Sequence, residues 1–324
     1  MPHLLVAGKL HPAGLHLLEE LGRRGYTHDY VEEIAESAYA PLVHNADALI
    51  MRVQPLTAAT IAKAPRLKVV SSHGVGVDLV DIPALNARGI ALTIPGMANA
   101  TSVAEHAMLQ LLAGAKQALK ADRIVREGPG AWGWRNRMES REISGKRLLI
   151  LGFGRIGRTL ARMAAAFEME VRAYDPSTLK RGWPEGLVQP VTDLKEALAW
   201  ADFVSIHVPR KDRPLIGSAE FAQMKPGVIL ATTSRGGVVC EVALAEALAS
   251  GHVAAAAIDV FAEEPPRPDS PLLVSDRTIL SPHSAGLTQE AGARMAVTSV
   301  QNAVDYLEGR LDPAFLVNGE ALGL

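Results

Sequence analysis

The sequence predicts an α/β protein built from two doubly wound parallel sheets. Short apolar runs alternate with helical patterns along almost all of the 324 residues, which is typical of parallel strands joined by crossover helices. The alternation occurs in two series, separated by a long helical stretch that begins near residue 100. The second series opens with a glycine-rich turn between a strand and a helix. The chain length also suits two domains.

In the first hundred residues, four apolar runs predict strands and two segments between them predict helices. The strands are HLLVAG, ADALIMR, LKVVSSHG and IALTIP. The helices are PAGLHLLEELGRRG and TAATIAKA, where apolar residues recur at helical spacing. Residues 99–128 then predict one long helix, because Ser and Thr stand at its start and Gly128 stands at its end.

The second series predicts six strands with crossover helices between them. The strands are KRLLILG, VRAYD, DFVSIHV, GVILATTS, AAAAIDVF and RTILSPH. Six strands are what a complete doubly wound sheet of two halves needs. The segment TQEAGARMAVTSVQNAVDYLEGR predicts one more helix after this sheet.

Composition and charge exclude several classes of protein. The chain has 33 Lys and Arg against 35 Asp and Glu, a net charge of −2. The protein therefore has no overall positive electrostatic field that would favour binding to nucleic acid or to an anionic membrane. The single Cys240 excludes a disulfide framework and fits a reducing compartment. The N-terminus lacks a basic leader with a long apolar core, and runs such as VAAAAI are too short to span a bilayer. We expect a soluble, cytoplasmic protein with no nucleic-acid or membrane partner.

The glycine-rich turn predicts where a dinucleotide binds. Gly152, Gly154 and Gly157 have G-x-G-x-x-G spacing, follow an apolar strand and open a helix. The first glycine allows the tight turn, the second lets the backbone approach a pyrophosphate, and the third lets helix and strand pack closely. The N–H groups of the helix N-terminus would face the phosphates. The pattern indicates a Rossmann-type cofactor site.

Asp175, at the end of the second strand of this series, bears on the choice of cofactor. It lies 18 residues after Gly157, near the position of a ribose-binding acid. A carboxylate accepts hydrogen bonds from both ribose hydroxyls of NAD and repels the extra phosphate of NADP. Lys180 and Arg181 would favour NADP only if they folded back. The predicted cofactor is NAD.

Three strand ends of the second series carry ionisable residues. Arg235 follows the fourth strand, Asp259, Glu263 and Glu264 follow the fifth, and His283 follows the sixth. A histidine in a polar loop, taken alone, does not indicate a catalytic role. Ligands of open α/β sheets, however, bind beyond the carboxyl ends of the strands, so neighbouring strands would deliver these side chains to the crevice of the cofactor.

Five motifs resemble the D-isomer-specific 2-hydroxyacid dehydrogenase family, which includes phosphoglycerate dehydrogenases and glyoxylate/hydroxypyruvate reductases. They are HGVGVD, NATSVAEHAM, TTSRGG, IDVFAEEPP and SPHSAG, in that order. The resemblance implies a Rossmann NAD-binding domain at residues 99–287, inserted into a flavodoxin-like substrate-binding domain formed by residues 1–98 and 288–324. It also implies a homodimer joined through the cofactor domains, with the helix near 101–120 at the interface.

The resemblance assigns roles to three of the ionisable residues. Arg235 resembles the arginine that binds the substrate carboxylate, and a planar guanidinium suits that bidentate grip. His283 resembles the acid–base, and histidine titrates near neutrality. Glu264 resembles its carboxylate partner, because the family's acid stands immediately before a proline. Glu263 is then a solvated neighbour. Direct hydride transfer to or from the nicotinamide requires no metal.

Further contacts are expected from the same motifs. His106 is interpreted as structural, and Trp132 and Trp134 either pack locally or cap the pocket across a dimer. The expected substrate contacts, besides Arg235, are Arg52, His73, Gly74, Val75 and Gly76. The expected cofactor contacts are Gly152, Gly154, Arg155, Ile156, Gly157, Asp175, His207, Val208, Pro209, Thr233, Ser234, Asp259, Ser284 and Gly286.

The substrate is expected to be a small unphosphorylated 2-hydroxy or 2-keto acid, such as glyoxylate or hydroxypyruvate. Ser72 stands where many phosphoglycerate-oxidising members have an arginine, and the sequence has no extra regulatory domain after residue 324. D-3-Phosphoglycerate is an alternative substrate, because Arg52 could hold a substrate anion. A second alternative is a non-enzymatic NAD(H)-sensing binding protein, like the transcriptional corepressors that resemble this family.

Overall fold

A computed structural model describes residues 1–186 and 188–324 and separates into two compact units. The first unit contains Met1–Asn99 and Leu287–Leu324, and the second contains Ala100–Gly286. The second unit is thus inserted in the first along the chain. The predicted junctions were 98/99 and 287/288. The assignment of the first unit to substrate binding stays a prediction.

The strands, in chain order, are β1 (His3–Ala7), β2 (Thr27–Val31), β3 (Ala48–Met51), β4 (Val69–Ser72), β5 (Ala91–Thr93), β6 (Arg147–Leu151), β7 (Glu170–Tyr174), β8 (Gln189–Pro190), β9 (Phe203–Ile206), β10 (Val228–Thr232), β11 (Val253–Ile258) and β12 (Thr278–Leu280).

The α-helices are α1 (Pro12–Arg23), α2 (Glu36–Tyr39), α3 (Ala58–Ala62), α4 (Ile82–Ala87), α5 (Ala100–Lys116), α6 (Ala118–Glu127), α7 (Arg155–Ala166), α8 (Pro176–Arg181), α9 (Leu194–Trp200), α10 (Ser218–Gln223), α11 (Glu241–Ala249), α12 (Pro271–Val274), α13 (Gln289–Leu307) and α14 (Gly319–Leu322). Short 3₁₀ helices cover Ala40–Asn45, Pro129–Arg137 and Pro313–Phe315. In the described part of the chain, no helix has both the length and the apolarity needed to cross a lipid bilayer.

The first unit contains a five-stranded parallel sheet in the order β2-β1-β3-β4-β5. Alternate residues of each strand enter two cores, so Leu4 packs with α13 on one face while Leu5 packs in a second core. Strand β2 was not predicted, because its residues THDYV are exposed or half-buried. An edge strand needs no continuous apolar run, and its register comes from pairing with β1.

The second unit contains a seven-stranded parallel sheet in the order β12-β11-β10-β9-β6-β7-β8. The six predicted strands are all present, and the two-residue edge strand β8 adds a seventh. Successive strands run outward in opposite directions from the β6/β9 pair, which makes that pair the switch point where such sheets bind ligands. The predicted α/β class with doubly wound parallel sheets is confirmed.

The prediction of one long helix over residues 99–128 is wrong. The segment forms α5 and α6, separated by Gln117 in a left-handed conformation with φ 50°. That conformation interrupts the helical hydrogen-bond ladder, and the Gln117 side chain instead donates to the carbonyl of Glu139 at 3.0 Å. Gly128 ends α6 with φ 92°, as predicted, whereas Thr101 and Ser102 lie inside α5. A single non-glycine residue in the left-handed region has no reliable sequence signal.

Candidate active site

The turn between β6 and α7 has the geometry that the three glycines predict. Gly152 has φ 94°, and a Cβ there would lie 2.5 Å from the carbonyl oxygen of His207. A Cβ on Gly157 would lie 2.2 Å from the carbonyl oxygen of Gly152, so the helix packs directly on the turn. Gly154, the N-cap residue of α7, faces open space with no atom within 4 Å of its Cβ position. The turn therefore leaves room above the helix N-terminus, as a bound pyrophosphate requires.

The carboxylate of Asp175 is held by backbone and side-chain donors at the end of β7. Oδ2 accepts from the N–H of Phe153 at 2.9 Å and from Oγ1 of Thr178 at 2.8 Å, and Oδ1 accepts from the N–H of Thr178 at 2.9 Å. Burial would raise the pKa of Asp175, but the hydrogen bonds from Thr178 and Phe153 outweigh it and lower the pKa. The carboxylate is ionised at neutral pH. It caps α8 and ties the glycine turn to β7, roles that the sequence analysis did not assign.

His207 lies beside the glycine turn, at the carboxyl end of β9. Its Nε2 lies 2.9 Å from Oγ of Ser205, and its Nδ1 lies 3.3 Å from Oγ1 of Thr233 at the end of β10. Burial lowers the pKa of His207 to about 4, so the ring is neutral at physiological pH. The expected contacts His207 and Thr233 thus follow two adjacent strands, β9 of the switch point and its neighbour β10.

The remaining expected cofactor contacts lie on the same carboxyl edge. Arg155 and Ile156 form the first turn of α7, and Val208 approaches the Cβ position of Gly152. Pro209 follows Val208 in the exposed loop after β9, and Ser234 follows β10 with its hydroxyl 3.3 Å from that of Thr232. Ser284 and Gly286 belong to the loop after β12. Their contacts with a cofactor stay predictions.

Asp259, at the end of β11, organises the loop after β12. The residue is fully buried. Its carboxylate accepts from Oγ of Ser281 at 2.5 Å, from the N–H of Ser284 at 2.9 Å and from the N–H of Ala285 at 3.0 Å. Its carbonyl oxygen accepts from the N–H of His283 at 2.8 Å. Asp259 was expected to contact the cofactor, and these bonds give it a structural task that the sequence analysis missed.

His283 and Glu264 come together at the ends of β12 and β11. Nδ1 of His283 lies 2.7 Å from Oε2 of Glu264, whose Oε1 accepts from the N–H of Phe261 at 3.0 Å. Because a carboxylate only accepts, the Nδ1 atom carries the proton and Nε2 is left to exchange protons with a ligand. The two side chains are 48% and 36% exposed. His283 has φ 50°, a left-handed conformation that costs free energy in a non-glycine residue.

Arg235 follows β10, next to the strand that precedes Glu264. An N–H of its guanidinium donates to the carbonyl oxygen of Ser234 at 2.7 Å. A Cβ on the next residue, Gly236, would lie 1.6 Å from the carbonyl oxygen of Phe261. Only glycine permits this approach of the Arg235 loop to the segment that holds Glu264. The close approach at Gly236 was not predicted, because it joins residues that follow two different strands.

The expected substrate contacts other than Arg235 lie in the first unit. Arg52 follows β3 and donates to the carbonyl of Lys9 at 3.2 Å, and His73 follows the neighbouring strand β4 and donates its N–H to Met51 at 2.7 Å. Gly74 faces open space, and the loop continues through Val75 and Gly76, whose carbonyl accepts from Ser72 at 3.4 Å.

The imidazole of His73 is buried, and its Nε2 atom lacks a hydrogen-bond partner in the described part of the chain. Only 4% of the residue is exposed. Burial, reinforced by the positive charge of Arg52 and by His11, lowers the pKa of His73 to about 4. The ring is therefore neutral at physiological pH.

This buried histidine predicts a loss of stability in acid. An unfolded histidine has a pKa near 6.5, so the unfolded chain binds more protons than the folded chain between about pH 6.5 and pH 4. The free energy of unfolding should fall by about 2 kcal/mol between about pH 7 and pH 5 from this group. Denaturant unfolding at the two pH values should show a smaller loss for His73→Phe than for the wild type. If both proteins lose the same free energy of unfolding between the two pH values, His73 is not the source of the acid sensitivity.

Comparison with known proteins agrees with this architecture. Residues 108–285 match the family model of the D-isomer specific 2-hydroxyacid dehydrogenase NAD binding domain. The D-3-phosphoglycerate dehydrogenase of Archaeoglobus fulgidus is 40% identical over 267 residues, which cover 81% of this chain and 50% of that protein. The glyoxylate reductase of Korarchaeum cryptofilum is 37% identical over 285 residues, covering 86% of this chain and 85% of that protein.

The structure of the TT0316 protein from Thermus thermophilus is similar over 97% of this chain and 99% of that chain, with a TM-score of 0.87 and 31% identity. The chain spans about half the length of the phosphoglycerate dehydrogenases it matches. The predicted family and the predicted NAD cofactor are confirmed. The chain belongs to the D-isomer specific 2-hydroxyacid dehydrogenase family, and its second unit carries the NAD binding domain of that family.

Proposed function

We propose that the protein is an NAD-dependent D-2-hydroxyacid dehydrogenase that also reduces the corresponding 2-keto acids. The observation that carries this proposal is the contact of 2.7 Å between Nδ1 of His283 and Glu264. The pair lies at the same carboxyl edge of the sheet as the glycine turn after β6. An oriented imidazole beside a dinucleotide site is what proton transfer coupled to hydride transfer requires.

The residues of the chain divide the work of the reaction. When bound, NAD(H) accepts or supplies the hydride. His283 takes the hydroxyl proton on Nε2 during oxidation and returns it to the carbonyl oxygen during reduction. Glu264 keeps the ring in the tautomer that exposes Nε2 and stabilises its charged form. Arg235 binds the carboxylate of the acid through its planar guanidinium.

The substrate is proposed to be a small unphosphorylated acid, such as glyoxylate or hydroxypyruvate. Ser72 and the neutral His73 offer hydrogen bonds but no positive charge at the end of β4, and a relative over most of its length is a glyoxylate reductase. D-3-Phosphoglycerate is the second candidate, because Arg52 supplies a cation beside His73 and other relatives are D-3-phosphoglycerate dehydrogenases.

Initial rates on a substrate panel test the proposal. The panel is glyoxylate, hydroxypyruvate, pyruvate and phosphohydroxypyruvate, each with NADH and NADPH. We expect the highest kcat/KM with NADH and one of the unphosphorylated acids. A preference for phosphohydroxypyruvate would support the second candidate. Binding of NADH without turnover of any acid would contradict the enzymatic proposal and favour an NAD(H)-sensing protein.

Asp175→Ala is expected to weaken the preference for NADH over NADPH, because the variant loses the charge that repels the extra phosphate. The ratio of kcat/KM values for the two cofactors measures the effect. The variant also loses the N-cap of α8, a cost of about 1 kcal/mol. Asp193→Ala is the matched control, since Asp193 caps α9 through the N–H groups of Lys195 and Glu196. A cofactor ratio that is the same in Asp175→Ala and Asp193→Ala would show that another group sets the preference.

Assembly as a homodimer is also part of the proposal. The second unit leaves four large apolar side chains exposed on α6, the 3₁₀ helix after it and the next residue: Leu119, Val125, Trp132 and Met138. Exposed apolar residues concentrated in one segment favour a protein interface. The cytoplasmic location and the absence of nucleic-acid and membrane partners stay predictions from the sequence.

A further inference from the structure

The five-residue loop Ser281–Ala285, which carries His283, is held at both ends by α5. Oγ of Ser102 donates to the carbonyl oxygen of Ala285 at 2.7 Å, and Nε2 of His106 lies 2.9 Å from Oγ of Ser281. Residues four apart lie on the same face of a helix. One face of α5 therefore contacts the first and the last residue of this loop.

The available protons give the contacts of His106 a direction. Ser281 has one hydroxyl proton, which it donates to the carboxylate of Asp259 at 2.5 Å. Toward His106, the hydroxyl oxygen must then accept, so Nε2 of His106 donates. The hydrogen bonds run from His106 through Ser281 to Asp259, which is fully buried. Nε2 of His106 is also 3.8 Å from Oδ1 of Asp259.

The end of this chain of hydrogen bonds is the backbone of His283. Its N–H donates to the carbonyl oxygen of Asp259 at 2.8 Å and lies 3.1 Å from that of Ser281. The N–H groups of the two residues that follow His283 bind the Asp259 carboxylate. A residue with φ 50° keeps that conformation only where the surrounding bonds hold it. The side chain of His283 meanwhile stays exposed and reaches Glu264.

We propose that His106 is a positioning residue for His283, acting through Ser281 and Asp259. The inference rests on the proposed acid–base role of His283. Loss of the imidazole leaves Ser281 without its donor and weakens the hold of Asp259 on the loop. The His283 ring then spends less time against Glu264 with Nε2 directed at a ligand. A displacement of this kind slows the chemical step more than it weakens the binding of ligands.

Variants at both ends of the hydrogen-bond chain test the proposal. His106→Leu fills the space without a donor, His106→Gln places an amide N–H near the position of Nε2, and Ser281→Ala removes the link to Asp259. Glu105→Gln, on the exposed side of the same helix, is the control. We expect His106→Leu and Ser281→Ala to lower kcat by roughly 10- to 100-fold with little change in KM, and His106→Gln to recover much of the loss.

A double-mutant cycle separates positioning from general damage. If His106 acts through His283, His106→Leu should cause no further loss of kcat in a His283→Asn background. Equal fold losses in both backgrounds would overturn the proposal. So would a His106→Leu variant that keeps the wild-type kcat. Should His106→Leu fail to fold, Ser281→Ala gives the same comparison in the two backgrounds.

A spectroscopic readout keeps this proposal independent of turnover. In protein labelled with ¹⁵N-histidine, the Nδ1 proton of His283 should be protected and shifted downfield by Glu264, and His283→Asn assigns the signal. We expect His106→Leu to broaden or remove this signal and Glu105→Gln to preserve it. An unchanged signal in His106→Leu would contradict the positioning role. A wild type that turns over no acid on the panel contradicts the proposed function instead, and the NMR comparison still decides the role of His106.

Discussion

Replacing His283 with alanine is expected to lower kcat by ~10²–10⁴-fold, the usual contribution of general acid–base catalysis. NADH affinity should stay nearly unchanged, because the ring meets Glu264 at the end of β12 while the glycine turn lies after β6. Steady-state rates on the best acid of the panel and fluorescence titration with NADH measure the two quantities. Equal losses of both would show that the residue is structural.

The backbone of His283 calls for a second variant. Its left-handed conformation is tolerated by asparagine better than by alanine. His283→Asn therefore removes the acid–base with less disturbance of the loop, and it should lose as much kcat as His283→Ala. A much more active His283→Asn would mean that the alanine variant suffers from a distorted loop.

The neighbouring glutamates provide a matched comparison for the same site. Glu264→Gln should lower kcat, because an amide stabilises the charged imidazole less than a carboxylate does. Glu263→Gln changes the adjacent exposed residue in the same way and should leave kcat unchanged. Loss of activity in both variants would contradict the specific role of Glu264.

Replacing Arg235 with leucine is expected to lower kcat/KM for the acid by ~30- to 4,000-fold. In the variant, the carboxylate of the acid loses its charge-assisted contact with the guanidinium, which is worth about 2–5 kcal/mol. Each 1.4 kcal/mol corresponds to a factor of ten in kcat/KM. Arg235→Lys keeps the charge but not the planar fork, so it should recover only part of the activity. Rates over a range of acid concentrations provide the measurement.

A second arginine controls for the loss of positive charge. Arg267 is exposed and pairs with Asp269 at 3.0 Å, and Arg267→Leu should leave kcat/KM unchanged. Similar losses in Arg235→Leu and Arg267→Leu would indicate a general electrostatic effect. An Arg235→Leu variant with normal kcat/KM would remove Arg235 from the site.

Local patterns predicted the parts of the fold in which each segment determines its own structure. The buried strands β3, β4, β9 and β10 were predicted because they are mainly apolar, as parallel strands covered on both faces usually are. The edge strand β2 and the break at Gln117 escaped prediction. Both depend on partners elsewhere in the chain: pairing with β1 in one case and the bond to Glu139 in the other.

The amino-acid sequence by itself determined the fold class, the glycine turn and the residues available for chemistry, because these follow from apolar periodicity, from glycine's permitted conformations and from motif order. Only the tertiary structure decided which groups meet. It fixed Nδ1 as the atom of His283 that meets Glu264, a partner that the family resemblance had already implied. It also directed the carboxylate of Asp259 to the loop that carries His283 and connected that loop to His106. Contacts between residues far apart in the chain depend on strand order and helix packing, which local sequence does not encode.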